Sequence, residues 1–139
     1  MIIADTGFFV ACFSKQDQYH KLASSKLREL SEPLITTWPV LTETIHVLTQ
    51  RGNANLAANF MKQVTSGLVL IWNPTNDLIQ KIPKLMKTYI NLPMDLADAS
   101  LVLLAEFLED GRILSTDRRD FKSYRWKSRK PFTNLLLGD

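Results

Sequence analysis

Apolar residues occur along this chain in short runs alternating with amphipathic stretches, and most boundaries carry a capping or breaking residue. Met1 to Ala4 is an apolar run that meets Asp5 and Thr6, either of which can cap a helix from Gly7 to about Ser14. A second helical pattern opens at Asp17 and runs to about Leu30, with Leu22, Ala23, Leu27 and Leu30 on one stripe before Pro33 stops it. Leu34 to Thr36 reads as a buried strand. Thr37-Trp38-Pro39 then starts a third helix ending near Gly52, and Asn53 caps a fourth that Gly67 ends. Leu68 to Trp72 reads as a strand.

After Asn73-Pro74-Thr75 a helix is expected to about Tyr89, broken or kinked at Pro83. Asp95 to about Glu109 is helical and apolar nearly all round, so it should be a buried central helix closed by Gly111. Arg112 to Ser115 is a further strand, and Tyr124 to Trp126 carries a weaker strand signal. Trp38, Trp72, Met61 and Met86 sit in apolar patterns and are expected in the core. Strands separated by helices imply right-handed crossovers, hence a three-layer α/β/α domain with a mainly parallel central sheet flanked by helices.

Composition narrows the class. The 139 residues are 45% hydrophobic and 22% charged, the balance of one ordinary soluble domain over residues 1–139. Cys12 is alone, so no internal disulfide can form and a reducing compartment is expected. The start Met-Ile-Ile-Ala-Asp offers no basic segment followed by an apolar one, and the longest strongly apolar run, Leu101 to Ala105, is far short of the ~20 residues of a membrane span. A cytoplasmic, non-membrane protein is expected. Net charge is +3, but Arg118 to Lys130 holds seven bases and one acid, which leaves the remainder acidic. Such a strip suits a polyanion such as nucleic acid, although a solvated face is the more common meaning of such a run.

The informative exceptions to the packing pattern are acids. Asp5 ends the first strand, Asp117 follows the strand Arg112 to Ser115, Glu43 lies within the third helix, and Asp98 sits among Leu96, Ala97, Ala99, Leu101 and Val102. In open parallel sheets, sites form beyond the carboxyl ends of the strands, where Asp5 and Asp117 fall. A buried carboxylate needs a proton, a base or a metal. Several acids with few bases near them favour a cation. An oxygen-only ligand set suits Mg²⁺ or Mn²⁺, and one Cys with two His provides a poor set for zinc. Such ions support phosphodiester cleavage. Asp95, one turn before Asp98, either joins the cluster or caps the helix after Pro93, and Asp120 is read as a partner for Arg118 or Arg119. There is no P-loop, G-x-G-x-x-G or G-x-S-x-G motif, and His46, three residues after Glu43, is left out of the catalytic set.

The segments Ala4-Asp5-Thr6-Gly7, Thr42-Glu43-Thr44, Asp95 to Ser100 and Ser115 to Phe121 together resemble the PIN-domain family, and more narrowly the VapC-type toxins of bacterial toxin–antitoxin pairs. No one segment is specific; four in this order, from the first strand to about Phe121, carry the resemblance. It implies a Mg²⁺- or Mn²⁺-dependent endoribonuclease. Asp5 and Asp98 would be the principal metal ligands, with Asp117 and Glu43 completing the cluster directly or through water. Thr6 and Thr116 would orient carboxylates or the attacking water, or serve only as cap and turn hydroxyls. Arg118, Arg119, Lys122 and Arg125, with Tyr124 and Trp126 interleaved, would contact RNA or an acidic antitoxin segment. A homodimer and a cognate antitoxin are further implications. The alternatives are a non-catalytic RNA- or protein-binding module of the same fold and a structure-selective DNA nuclease.

Overall fold

A computed structural model describes residues 1–138. Its main sheet has five strands in the order β3-β2-β1-β4-β7, every pair parallel: β1 (Ile2–Ala4), β2 (Leu34–Thr37), β3 (Val69–Trp72), β4 (Arg112–Leu114) and β7 (Thr133–Asn134). Every residue of β1 and β2 is buried, as are Ile113 and Leu114 of β4. Strands buried on both faces need cover on both sides, which makes this the expected three-layer α/β/α arrangement.

The covering helices include α1 (Thr6–Phe13), α2 (His20–Glu29), α3 (Trp38–Arg51), α4 (Ala54–Gln63) and α7 (Leu96–Leu108). Helix α7 packs on β1, β2 and α3 through a run from Ala99 to Ala105 that is wholly buried. Phe60 of α4 is fully buried and stacks on Phe9 and Phe13 of α1, each at 5.2 Å between ring centres. No helix among the described residues is long and apolar enough to cross a membrane.

Several boundaries depart from the sequence reading. Helix α2 begins at His20, because Asp17 spends its side chain on the Tyr19 amide and an Arg51 ion pair rather than on a first helical turn. Regular α4 ends at Gln63 and widens into a π turn over Val64–Leu68, which Gly67 closes at φ 105°. The helix expected to reach Tyr89 is two, α5 (Asn76–Ile79) and α6 (Ile82–Thr88), with Pro83 in the first turn of the second, where a missing N–H is harmless. Helix α7 is closed by Glu109 in the left-handed conformation, ahead of Gly111.

Two aromatic or apolar residues expected inside are outside: Trp38 is 55% exposed and Met86 38%. Leu70 and Ile71 are also exposed, because β3 is an edge of the sheet. After α8 (Arg118–Ser123), the segment expected near Tyr124 to Trp126 forms β5 (Arg125–Trp126), paired antiparallel with β6 (Lys130–Pro131) in a ribbon separate from the main sheet. The strand that completes the sheet is β7, which two residues and a neighbouring Pro-Phe did not announce.

Candidate metal and active site

The chain runs outward from β1 to β2 and β3, then crosses back to β4 and β7. The reversal lies between β1 and β4, and in parallel sheets the crevice beyond such a switch point is the usual ligand site. Register places Ala4 beside Leu114, so Asp5 and Ser115 leave adjacent strand ends together. The Ser115 hydroxyl donates to Asp5 Oδ2 at 3.1 Å, and the Thr6 amide donates to Oδ1 at 2.7 Å as Asp5 caps α1.

Beyond these strand ends lies a cleft of about 390 Å³. Asp5, Glu43, Asp98 and Asp117 all line it, together with Asp17, Asp95 and Asp120, so half of the chain's 14 acids meet there. The two arginines on its wall are already engaged. Arg51 pairs with Asp17 and Arg119 with Asp120, each at 3.0 Å. Among the described residues no base pairs with Asp5, Glu43, Asp98 or Asp117.

Burial without a compensating base raises the proton affinities of these acids above the ordinary carboxylate range. Burial, reinforced by Glu43 and Asp117, pushes Asp5 up to about 7 against the pull of its two hydrogen bonds. Asp98 rises to about 8, first through burial and then through the charges of Asp95 and Asp5, with the Tyr124 hydroxyl opposing. Burial also raises Glu43, aided by Asp95, and Asp117, aided by Asp120. Asp98 is only partly buried; the acid most removed from water is Asp5, 6% exposed.

The hydroxyls divide their work. Thr6 donates to Glu43 Oε1 at 2.5 Å, linking α1 to α3. Ser115 also accepts from the Asp117 amide at 2.9 Å. Thr116 lies so close to Gly7 that a Cβ there would sit 1.9 Å from its Oγ1. Asp95 is a helix cap, accepting from the Asp98 amide at 2.8 Å, and it also stands beside Glu43 in the cleft. Asp117 caps α8 through the Asp120 amide at 3.0 Å, and Asp120 pairs with Arg119 as expected.

As the side chains stand, no three His, Cys, Asp or Glu among the described residues are arranged to grip one ion. The donor chemistry nevertheless suits one. Asp98 Oδ1, Glu43 Oε2 and Asp117 Oδ2 accept no hydrogen bond among the described residues. These hard oxygens, on acids without basic partners, fit Mg²⁺ or Mn²⁺, whose binding would relieve their mutual repulsion.

The basic residues are dispersed. Arg119 is on the cleft, 75% exposed at its side chain. Arg118 and Lys122 flank a small hollow over Phe121 and Phe132, and Arg118 reaches the Leu137 carbonyl. Arg125 is not beside the acids. Its Nη1 donates to the carbonyls of Lys122, Ser123 and Tyr124, closing α8, and it lies in a separate groove with Lys81, Lys84 and Phe107. Two participants escaped sequence reasoning. Ser115 was legible only through the β1–β4 register, and Tyr124, whose hydroxyl donates to Asp98 Oδ2 at 3.0 Å, carried no signal beyond its position in a basic strip.

Residues 2–127 match the sequence model of the PIN domain. The chain is 23% identical over 124 residues to Ribonuclease VapC26 of Mycobacterium tuberculosis (strain ATCC 25618 / H37Rv), an alignment covering 89% of this chain and 92% of that protein. Among solved structures it is similar to Mycobacterium tuberculosis VapC20, described as a Sarcin-Ricin loop cleaving toxin, with a TM-score of 0.78 and 20% identity over 84% of this chain and 90% of the other.

Proposed function

Because this chain belongs to the PIN-domain family, we propose that it is a Mg²⁺- or Mn²⁺-dependent endoribonuclease and the toxin of a two-gene toxin–antitoxin pair. The observation that carries this reading is the gathering of Asp5, Glu43, Asp98 and Asp117 in one cleft with no basic partner among the described residues. The ribonuclease named among its relatives and the toxin with the same fold support the substrate class.

Asp5 and Asp98 hold the ion, with Glu43 and Asp117 completing its surroundings directly or through water. When bound, the ion supplies Lewis acidity to a phosphodiester oxygen and lowers the proton affinity of water beside it. The chain's own residues do the rest. Ser115 and the Thr6 amide fix both oxygens of Asp5, and Thr6 holds Glu43 in place while leaving Oε2 to accept a proton from water. Burial, reinforced by the charge of Asp95, keeps Glu43 basic enough for that role. Arg119, at the rim and largely exposed, meets the RNA backbone, with Arg118 and Lys122 extending the contact along α8.

Purified protein is expected to cut an end-labelled RNA panel with Mg²⁺ or Mn²⁺, to stop in chelator, and to stop in Asp98→Asn. Undiminished cutting by either control would refute the mechanism. Cleavage of DNA in the same assay would assign a DNA nuclease, and binding without turnover in any divalent ion a non-catalytic module. A homodimer in the cytoplasm, neutralised by an antitoxin encoded beside it, completes the proposal. Co-purification with the product of the adjacent gene, and loss of cutting in that complex, is the expected result.

A further inference from the structure

Asp98 is not left to rotate freely at the start of α7. Its Oδ2 accepts the hydroxyl of Tyr124 at 3.0 Å, and the Asp95 amide approaches the same oxygen at 3.4 Å. Tyr124 follows α8 and belongs to none of the segments that carry the acids. Its ring is fully buried, met edge-on by Tyr89 at 5.1 Å and Phe121 at 5.2 Å, and its amide is bonded to the Asp120 carbonyl at 2.9 Å. A ring fixed on two sides and at its backbone has one direction in which to aim its hydroxyl.

A phenylalanine would fill the same space and make the same edge contacts, so packing does not explain the hydroxyl. A buried phenol needs a partner, and the only hydrogen bond this one makes among the described residues is to Asp98. We propose that Tyr124 is a positioning residue for the divalent ion, pinning the Oδ2 edge of Asp98 so that Oδ1 is presented to the metal. The inference rests on the metal-dependent reading above and adds a residue to it.

The capping box alone holds Asp98 too loosely, which is why a pin is needed. At the third position of α7 it can turn back and complete the capping box with the Asp95 amide, a bond that at 3.4 Å is only weakly made. Without the Tyr124 hydroxyl the carboxylate would keep only that weak bond and lose its fixed orientation. Partners that orient metal ligands commonly contribute about 10–100-fold in metal affinity or activity. A hydroxyl that merely stabilised the fold would alter the melting temperature and leave metal affinity alone.

The test is Tyr124→Phe in chelator-stripped, full-length protein, with Mn²⁺ affinity read by electron paramagnetic resonance in the absence of RNA. Affinity is expected to fall about 10–100-fold, with cleavage lost at low Mn²⁺, recovered at high Mn²⁺, and KM for RNA unchanged. A folded variant that binds Mn²⁺ as wild type does overturns the proposal while leaving the ribonuclease reading standing; failure of wild type to bind Mn²⁺ overturns both. Should the variant not fold, wild-type protein labelled at tyrosine Cζ serves in its place, the chain having three tyrosines. On Mg²⁺ titration the Tyr124 resonance should move with the binding midpoint while that of Tyr19 stays fixed. A Tyr124 resonance unmoved at saturating Mg²⁺ would overturn the proposal.

Discussion

Replacing Asp5 by Asn should make the metal-free protein more stable at alkaline pH, a gain bought at the site's expense. Folding raises this carboxyl from 3.8 to about 7, with burial as the main cause. Between those values the native state holds a proton that the unfolded state has released, so the contribution of Asp5 to stability is greatest at low pH and is lost as pH rises through the window. A rise of that size corresponds to about 4 kcal/mol if the charge were buried without relaxation. Water and side chains adjust around it, so the expected difference is about 1–3 kcal/mol.

Asn is nearly isosteric, its oxygen can accept from the Thr6 amide as Asp5 Oδ1 does, and its amide can donate to the Ser115 hydroxyl. The assay is urea unfolding of chelator-treated wild type and Asp5→Asn at about pH 5, inside that window, and at about pH 8.5, above it. The variant should gain on wild type between the two, and added Mn²⁺ should stabilise wild type only. If the difference between the two proteins does not change with pH, or if Asp5→Asn falls behind at high pH, the reasoning from an uncompensated buried carboxylate is wrong.

Gly7→Ala would place a methyl against Thr116 Oγ1 at the mouth of the cleft; a loss of about 1–3 kcal/mol in thermal unfolding is expected, with cleavage falling by more than the stability change explains. Phe60→Ala removes a fully buried ring stacked on Phe9 and Phe13 and should cost about 3–5 kcal/mol by urea unfolding while leaving the acid cleft's Mn²⁺ affinity intact. Reversing Arg118 and Lys122 together to Glu should raise KM for RNA and flatten its salt dependence by about two phosphate contacts, with little change in kcat. Arg125→Ala, by contrast, should act through the α8 terminus, lowering the melting temperature more than it changes the salt dependence of RNA binding.

Much of this arrangement could be read from side-chain order. Asp5 and Asp117 follow buried strands, and acids at strand ends in a parallel sheet have one common destination. Asp98 drew notice because its neighbours are apolar, although its position in the first turn of α7 leaves it partly open to the cleft. What stayed hidden depends on contacts between distant segments. The partnership of Ser115 with Asp5 exists only once β1 and β4 are in register, and that of Tyr124 with Asp98 only once the chain after α8 packs on α7. The direction of Arg125 cannot be read from a run of bases: its guanidinium turns back to the carbonyls that close α8. The two-residue β7 was invisible because so short a strand is specified by the β4 edge it joins, through Asn134 bonding to Ser115, and not by its own composition.

Anomalous diffraction from a crystal of the wild-type protein soaked in Mn²⁺ would probe the convergence of the acids most directly. A peak within the cleft, bonded to oxygens of Asp5 and Asp98 with Glu43 and Asp117 around it, is the predicted result. Clear density for the cleft with its carboxylates bonded to arginine or to one another, and no manganese among them, would contradict it.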